Sequence, residues 1–260
     1  KKLEKFGGAE GMRAFWQKKK EAKKERKKTQ NAERKEAQNL AWDQLSEEEQ
    51  KRRRERALAV HTLRHEQQSE LLDRCRINMG AQNLPYIVFD MSFVDDMTDR
   101  DKRSTLSQLK FSYSILKKFG FTLRPIFTSF VDKAPFDGFQ EFGQFSAFQP
   151  RFTDSHWSET VCRENVVFLT ADSDNVLTNL SSDTYYIVGA FVDHNSKKGA
   201  TLDASKKYGV RTARLPLDEE MDVGNLCKVL TINHVTEVMC SFAASGSWAE
   251  ALSVLPTRRK

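Results

Sequence analysis

Three polar groups stand where apolar runs stop: Asp90 after "YIVF", Thr170 with Asp172 after "VVFL", and Asp193 with His194 and Asn195 after "YYIVGAFV". A carboxylate at the end of a buried strand serves one of two chemistries. It takes a proton from a bound substrate, or, gathered with others, it holds a hard cation such as Mg²⁺. The second pattern would make Asp90, Asp172 and Asp193 the ligand set of a metal-dependent ribonuclease. A plainer account is also open, because a strand-end Asp often caps free backbone amides. Asp95, Asp96, Asp99 and Asp101 read as a solvated loop and helix-start cluster, favoured by the helix dipole. His61 and His65, four residues apart, lack a third ligand and read as an exposed helix face rather than a metal site.

The elements that position these groups follow from periodicity and punctuation. From Ala14 to about Arg76 the chain has no Pro and is dense in Lys, Arg, Glu, Gln and Ala, which predicts helix. A break is expected near "WDQLSEEEQ", where Ser46 and Glu49 make a capping box. Gly80 and Pro85 then mark a change of composition, so residues 1–80 read as a basic helical extension and 81–260 as a globular domain. In that domain a strand ends on Asp90. Thr98 and Asp101 cap a helix with Leu106, Leu109, Tyr113 and Leu116 on one face, and Gly120 stops it.

Further strands are expected at 123–130, "NVVFLTADS", "YYIVGAFV" and "VRTARLPL", with a short helix after the second and helices from Thr201, Asn233 and around Trp248. Nearly continuous apolar strands alternating with helices indicate an α/β domain, its mainly parallel sheet covered on both faces. The Phe-rich segment 132–151 either packs over the core or meets a partner. Ligands of such sheets gather at the carboxyl ends of the strands, where the polar groups lie. "RLPL" and "LTINHV" add apolar side chains and free backbone groups suited to a cofactor. GxGxxG and GxxxxGK[ST] are both absent, so the usual phosphate-cradling loops are not offered.

Charge points to the partner. Residues 1–60 carry 19 Lys and Arg against 11 Asp and Glu, while the other 200 carry 23 against 25. A positive arm beside a near-neutral domain suits a polyanion such as RNA, although a solvated charged helix would look the same. Cys75, Cys162, Cys227 and Cys240 are far apart, which indicates neither a disulfide framework nor a zinc ribbon and fits a reducing, intracellular compartment. No apolar run approaches the ~20 residues of a membrane span, and the Lys-rich start lacks a signal-peptide core. The chain opens on Lys rather than Met, which reads as a fragment.

Seven segments, "FDMSFVDDM", "TLSQLKFSY", "VVFLTADSDN", "YYIVGAFVDHNSKKG", "RTARLPL", "LTINHV" and "WAEALSVLPTRRK", together resemble the tRNA position-9 N1-purine methyltransferases of the SPOUT superfamily. The resemblance runs in order over about 84–260. It implies an S-adenosylmethionine-dependent enzyme that methylates N1 of guanosine, or of adenosine, at position 9 of tRNA. It also implies a C-terminal trefoil knot, a rare exception to unknotted connectivity. Asp193 matches the general base. The cofactor loops match Leu169, Thr170, Gly189, the turn Asp193, His194, Asn195, Lys197 and Lys198, then Leu215, Leu230, Thr231 and Asn233. Gln108 with Arg103, Lys110, Lys117 and Lys118 matches the tRNA-facing helix, and the basic extension an RNA-gripping arm.

Ala190, Asp174 and Leu116-Lys117-Lys118 depart from the family's usual Gly, Pro and Asn-Arg-Arg. The methyl of Ala190 is expected to narrow the cofactor pocket, and Lys for Arg loses bidentate phosphate recognition. No metal is expected. The expected state is a monomer with tRNA as partner and no membrane, in the nucleus or cytoplasm, or in the mitochondrion with a protein partner. Two rivals stand beside this reading: the metal-dependent ribonuclease, and an inactive tRNA-binding or assembly subunit that keeps the fold.

Overall fold

The computed structural model describes residues 8–192, 199–221 and 228–255. The chain divides into two compact units, Lys1–Gln67 and Gln68–Lys260. The first contains α1 (Gly8–Asp43) and the start of α2 (Glu47–Gly80). The expected break is present: Ser46 Oγ accepts from the Glu49 N–H at 3.3 Å, and Gln50 Nε2 donates to the Trp42 carbonyl at 3.1 Å. Most residues of this unit are exposed, Trp16, Leu40 and Leu58 among them, so its helices rest on intrinsic propensity and i,i+4 pairs rather than on burial. One such pair joins Arg53 to Glu49 at 3.1 Å, and that hydrogen bond holds the Glu49 carboxyl below its usual range.

The second unit continues through β1 (Tyr86–Asp90), α3 (Asp99–Lys118), β2 (Arg124–Thr128), β3 (Arg151–Phe152), α4 (Trp157–Thr160) and β4 (Val166–Leu169). It then runs through β5 (Tyr185–Gly189), α5 (Ala200–Tyr208), β6 (Arg211–Ala213), α6 (Leu217–Glu220), α7 (Ile232–Ser245) and α8 (Trp248–Leu252). Among the described residues the strands form one six-stranded sheet, ordered β3-β2-β1-β5-β4-β6, with every pairing parallel. Alternation along each strand gives the sheet two faces. Ile87, Phe89, Phe127, Val167 and Val188 pack in the larger core with Leu109 and Leu116 of α3 and Val238 and Met239 of α7. Val88, Ile126, Phe168 and Ile187 form the smaller core with Trp157, against which Ala204 and Tyr208 of α5 pack. Both faces are therefore covered, which is why the strands read as continuous apolar runs.

Local signals fix the ends of α3. Thr98 Oγ1 accepts from the Asp101 N–H at 3.3 Å, and Gly120 takes a positive φ of 68° as the helix stops. Phe121 N–H then donates to the Leu116 carbonyl at 2.8 Å and Gly120 N–H to that of Lys117 at 3.0 Å, closing a Schellman motif. The Phe-rich segment packs inward: Phe136, Phe139, Phe145 and Phe148 are all buried, with Phe139 and Phe145 edge to face at 5.3 Å.

The short helix expected after β4 is absent. Residues 170–184 form turns, in which Thr170 Oγ1 accepts from Asp172 N–H at 3.3 Å and Ser173 Oγ from Asn175 N–H at 3.1 Å. This Ser-, Thr-, Asp- and Asn-rich stretch satisfies its backbone partly with its own side chains and partly at the end of β6, where Leu177 N–H donates to the Arg214 carbonyl at 2.8 Å, and the two together outcompete a helix. The C-terminal knot implied by the resemblance would be traced through residues 193–198 and 222–227, which lie outside the described residues.

Candidate active site

The carboxyl ends of β4, β5 and β6 open into a cavity of about 510 Å³. Its walls come from Leu169, Thr170 and Asp172 after β4, from Val188, Gly189 and Phe191 on β5 and beyond, and from Ala213, Arg214 and Leu215 after β6. Gly199 and Thr201 at the start of α5 close one side, and Leu230, Ile232 and Val235 around the start of α7 another. Thr201 Oγ1 donates to Thr170 Oγ1 at 2.8 Å, which ties α5 to the end of β4. Gly189 has no side chain to intrude, and a Cβ there would stand 3.0 Å from both Phe191 Cε1 and Thr201 Cγ2. The mouth is charged: the Arg214 guanidinium grips both Glu219 oxygens at 2.9 and 2.7 Å, and Lys228 Nζ meets Asp218 Oδ2 at 2.8 Å. The bond from Arg214 keeps the Glu219 carboxyl below its ordinary range.

The wall formed by α7 depends on α3. Thr231 precedes the helix in extended conformation, yet its hydroxyl is paired with His234 Nδ1 at 2.9 Å and caps no backbone amide. The first N–H of the helix, on Ile232, is taken instead by Gln108 Oε1 at 3.0 Å. A glutamine on one helix thus supplies the cap that the other lacks.

A sequence model described as tRNA (guanine(9)-N(1))-methyltransferase TRM10/TRM10A matches residues 12–260. The chain belongs to this family. The tRNA methyltransferase 10 homolog A of Rattus norvegicus is 33% identical over 189 residues, covering 72% of this chain and 56% of the rat protein. The chain thus spans little more than half of that relative's length. The homolog C of Bos taurus is 28% identical, over 69% of this chain and 44% of its own. Among solved structures, the full-length spTrm10–SAH complex aligns with a TM-score of 0.59 at 29% identity, covering 68% of this chain and 99% of that one. The crystal structure of spTrm10(74) gives 0.60, also at 29% identity, over 68% and 98%. The fold is that of the Trm10 SPOUT methyltransferases.

In this TRM10-family chain the cavity brings together five of the residues singled out for the cofactor: Leu169, Thr170, Gly189, Leu215 and Leu230. Thr231 and Asn233 are not among its lining residues, whereas their neighbours Ile232 and Val235 are. Asp193, His194, Asn195, Lys197 and Lys198 lie outside the described residues. Ala190 does not narrow the cavity: its methyl is fully buried in the larger core, and its N–H donates to the Asp90 carbonyl at 2.8 Å.

Arg214, Ile232 and Val235 lie within "RLPL" and "LTINHV", the segments suited to a cofactor by sequence, whereas Phe191 and Thr201 are named by no such segment. The signal that Thr201 offers is a hydroxyl in the first turn of a helix that follows a strand end. Of the residues assigned to RNA, Arg103 and Lys118 are exposed, and Gln108, Lys110 and Lys117 are half-buried. Lys110 stands over the Phe142 ring at 5.1 Å and Lys117 over Phe148 at 5.8 Å.

Among the described residues no three His, Cys, Asp or Glu side chains gather as a metal site. Asp90 is 1% exposed, and its Oδ1 accepts from the Ser92 N–H at 3.0 Å. Burial pushes its carboxyl above the ordinary range, opposed by the hydrogen bonds from Ser92 and by His156, whose Nε2 lies 3.9 Å from Oδ2. Asp172 is exposed on its turn. No described helix is long and apolar enough to cross a membrane.

Proposed function

We propose that this chain transfers the methyl of S-adenosylmethionine to N1 of the purine at position 9 of tRNA, with guanosine as the substrate. The observation that carries the reading is the cavity of about 510 Å³ at the ends of β4, β5 and β6, walled by the segments that the resemblance assigns to the cofactor. Its size lies in the range of small-ligand sites, and its lining is largely apolar, with the hydroxyls of Thr170 and Thr201 and the charged groups of Asp172, Arg214, Asp218 and Lys228. The bare edge of Gly189 lets a flat ligand approach the strand backbone, where a methyl would already stand 3.0 Å from Thr201 Cγ2. These features fit the cofactor.

Bound there, the cofactor supplies a methyl made electrophilic by its sulfonium. The chain's own work is then to orient the purine and to handle one proton. N1 of guanine carries a proton that must leave, and Asp193 is the carboxylate assigned to take it. N1 of adenine has a free lone pair, so with adenosine Asp193 would orient the base and remove nothing. Positioning contributes much of the rate, because in-line attack needs close alignment. Residues 1–80 serve as the RNA-gripping extension and 81–260 as the methyltransferase domain, with the 19 basic residues of the first 60 meeting phosphates. The chain acts as a monomer on tRNA, in nucleus or cytoplasm, or beside a protein partner in the mitochondrion.

The test is incubation of a transcript tRNA with methyl-labelled cofactor, with and without EDTA. Label at position 9 that persists in EDTA supports the reading. Cleavage that EDTA abolishes would replace it with the ribonuclease, and binding without label would leave an assembly subunit.

A further inference from the structure

The helix α3 exposes an aromatic ring on a basic surface. Phe111 is 62% exposed, and in the second unit it is the one aromatic among the exposed large hydrophobic residues described. A lone exposed apolar residue is ordinary. The setting of this one is not. The unit withdraws its other rings, with Phe121, Phe127, Phe136, Phe139 and Phe145 at 3% exposure or less. At 3.6 residues per turn, Phe111 shares its stripe with Arg100, Ser107, Ser114 and Lys118. Ser107 turns its hydroxyl onto the Arg103 carbonyl at 3.0 Å, and Ser114 Oγ lies 2.9 Å from the Lys110 carbonyl and 3.0 Å from Gln144 Oε1. These stripe-mates are small, and the ring between them stays exposed. Beyond Asp101 the helix itself carries Lys102, Arg103, Lys110, Lys117 and Lys118 and no carboxylate, although Glu237 of α7 stands 3.6 Å from Lys118 Nζ.

We infer that Phe111 is a stacking platform for one unpaired RNA base, with Arg100 and Arg103 toward one end of α3 and Lys118 toward the other meeting phosphates further along the same strand. The inference rests on the tRNA reading above and adds a contact to it. An exposed ring among cations suits a nucleobase, which offers a π-face attached to a phosphate chain. Arg100 and Arg103 make an apolar protein surface the poorer occupant, since its approach would strip water from their guanidinium groups without supplying an anion.

The experiment measures tRNA affinity of the full chain against salt for the unsubstituted protein, Phe111→Ala, Phe111→Trp and Lys118→Ala. Loss of a base stack should weaken Phe111→Ala by roughly 5- to 150-fold at every salt concentration, with an unchanged slope of log K against log salt. Phe111→Trp should bind at least as tightly as the parent, and Lys118→Ala should lower the slope by about 0.7 to 0.9. The ring is mostly in solvent, so its removal leaves the fold intact. Parent affinity in Phe111→Ala would overturn the platform while leaving the tRNA reading standing. A parent protein that binds no tRNA would overturn both.

Discussion

Gln108 Oε1 accepts a hydrogen bond from the Ile232 N–H at 3.0 Å, joining residues 124 apart in sequence. The bond lies between α3 and a wall of the cavity, since Ile232 and Leu230 both line it. Gln108→Ala should leave that helix-start amide unpaired and cost about 1–3 kcal/mol of stability. It should also weaken binding of the demethylated cofactor. Gln108→Glu keeps an acceptor at the positive end of the helix and should restore most of both. Denaturant melts and calorimetry check this, and an alanine variant equal to the parent in both would show that the bond carries nothing.

Gly189 gives a second prediction. Alanine there places a Cβ 3.0 Å from Phe191 and Thr201 side-chain atoms, so one of the two must shift at the edge of the cavity. The strain costs about 1–3 kcal/mol. Affinity for the demethylated cofactor should fall by roughly tenfold, the equivalent of ~1.4 kcal/mol. Binding at parent strength would mean that this edge does not face the ligand.

Asp193 supplies the third. With guanosine as substrate, Asp193→Asn should keep tRNA affinity and lower the single-turnover rate by about 10²- to 10⁴-fold, the usual worth of a positioned base. The defect should shrink as pH rises toward the range where N1 loses its proton to solvent. With adenosine the loss should be smaller and show little rescue. A full rate on guanosine across neutral pH would make Asp193 structural.

Asp90 makes stability depend on pH. Burial raises its carboxyl above the ordinary value, so the folded state holds a proton that the unfolded chain releases earlier. The resulting stabilisation is complete below the unfolded value of about 3.9 and is lost as pH rises through the folded one. Asp90→Asn, which cannot ionise, should lack this decline. Urea melts of both proteins from acid to neutral pH check it, and parallel curves would mean that another group sets the slope.

Much of the fold was legible because its signals are local. Thr98 with Asp101 and Gly120 bound α3 in sequence as they do in space, and the apolar runs of β1, β4 and β5 could only be interior strands. Turns rather than the expected short helix follow β4, because Thr170 and Ser173 hold the backbone through side-chain geometry that composition only hints at. Sequence leaves the inward packing of Phe136, Phe139 and Phe145 as one of two alternatives, since exposure is not written in a residue's type. The site divides in the same way. Leu169, Thr170 and Gly189 sit at strand ends that motifs point to, whereas Ile232 reaches the cavity through a cap from Gln108, and nothing within a window of either residue announces the other.

The sheet order also sets when the cavity can exist. β5 lies between β1 and β4, with Tyr86 in register with Tyr185 and Asp90 with Gly189, so the centre of the sheet forms only when residues about a hundred apart meet. Closing so long a loop is entropically costly, and folds dominated by such pairings are slow. A chain leaving the ribosome can join β1 to β2 early, but Gly189, Thr201 and Ile232 must all have emerged before the cavity has its walls. Until then α3 covers part of one face of β1 and β2 while the face of Val88 and Ile126 awaits α5, and this is the interval in which the nascent protein is most exposed to aggregation and has most to gain from a chaperone.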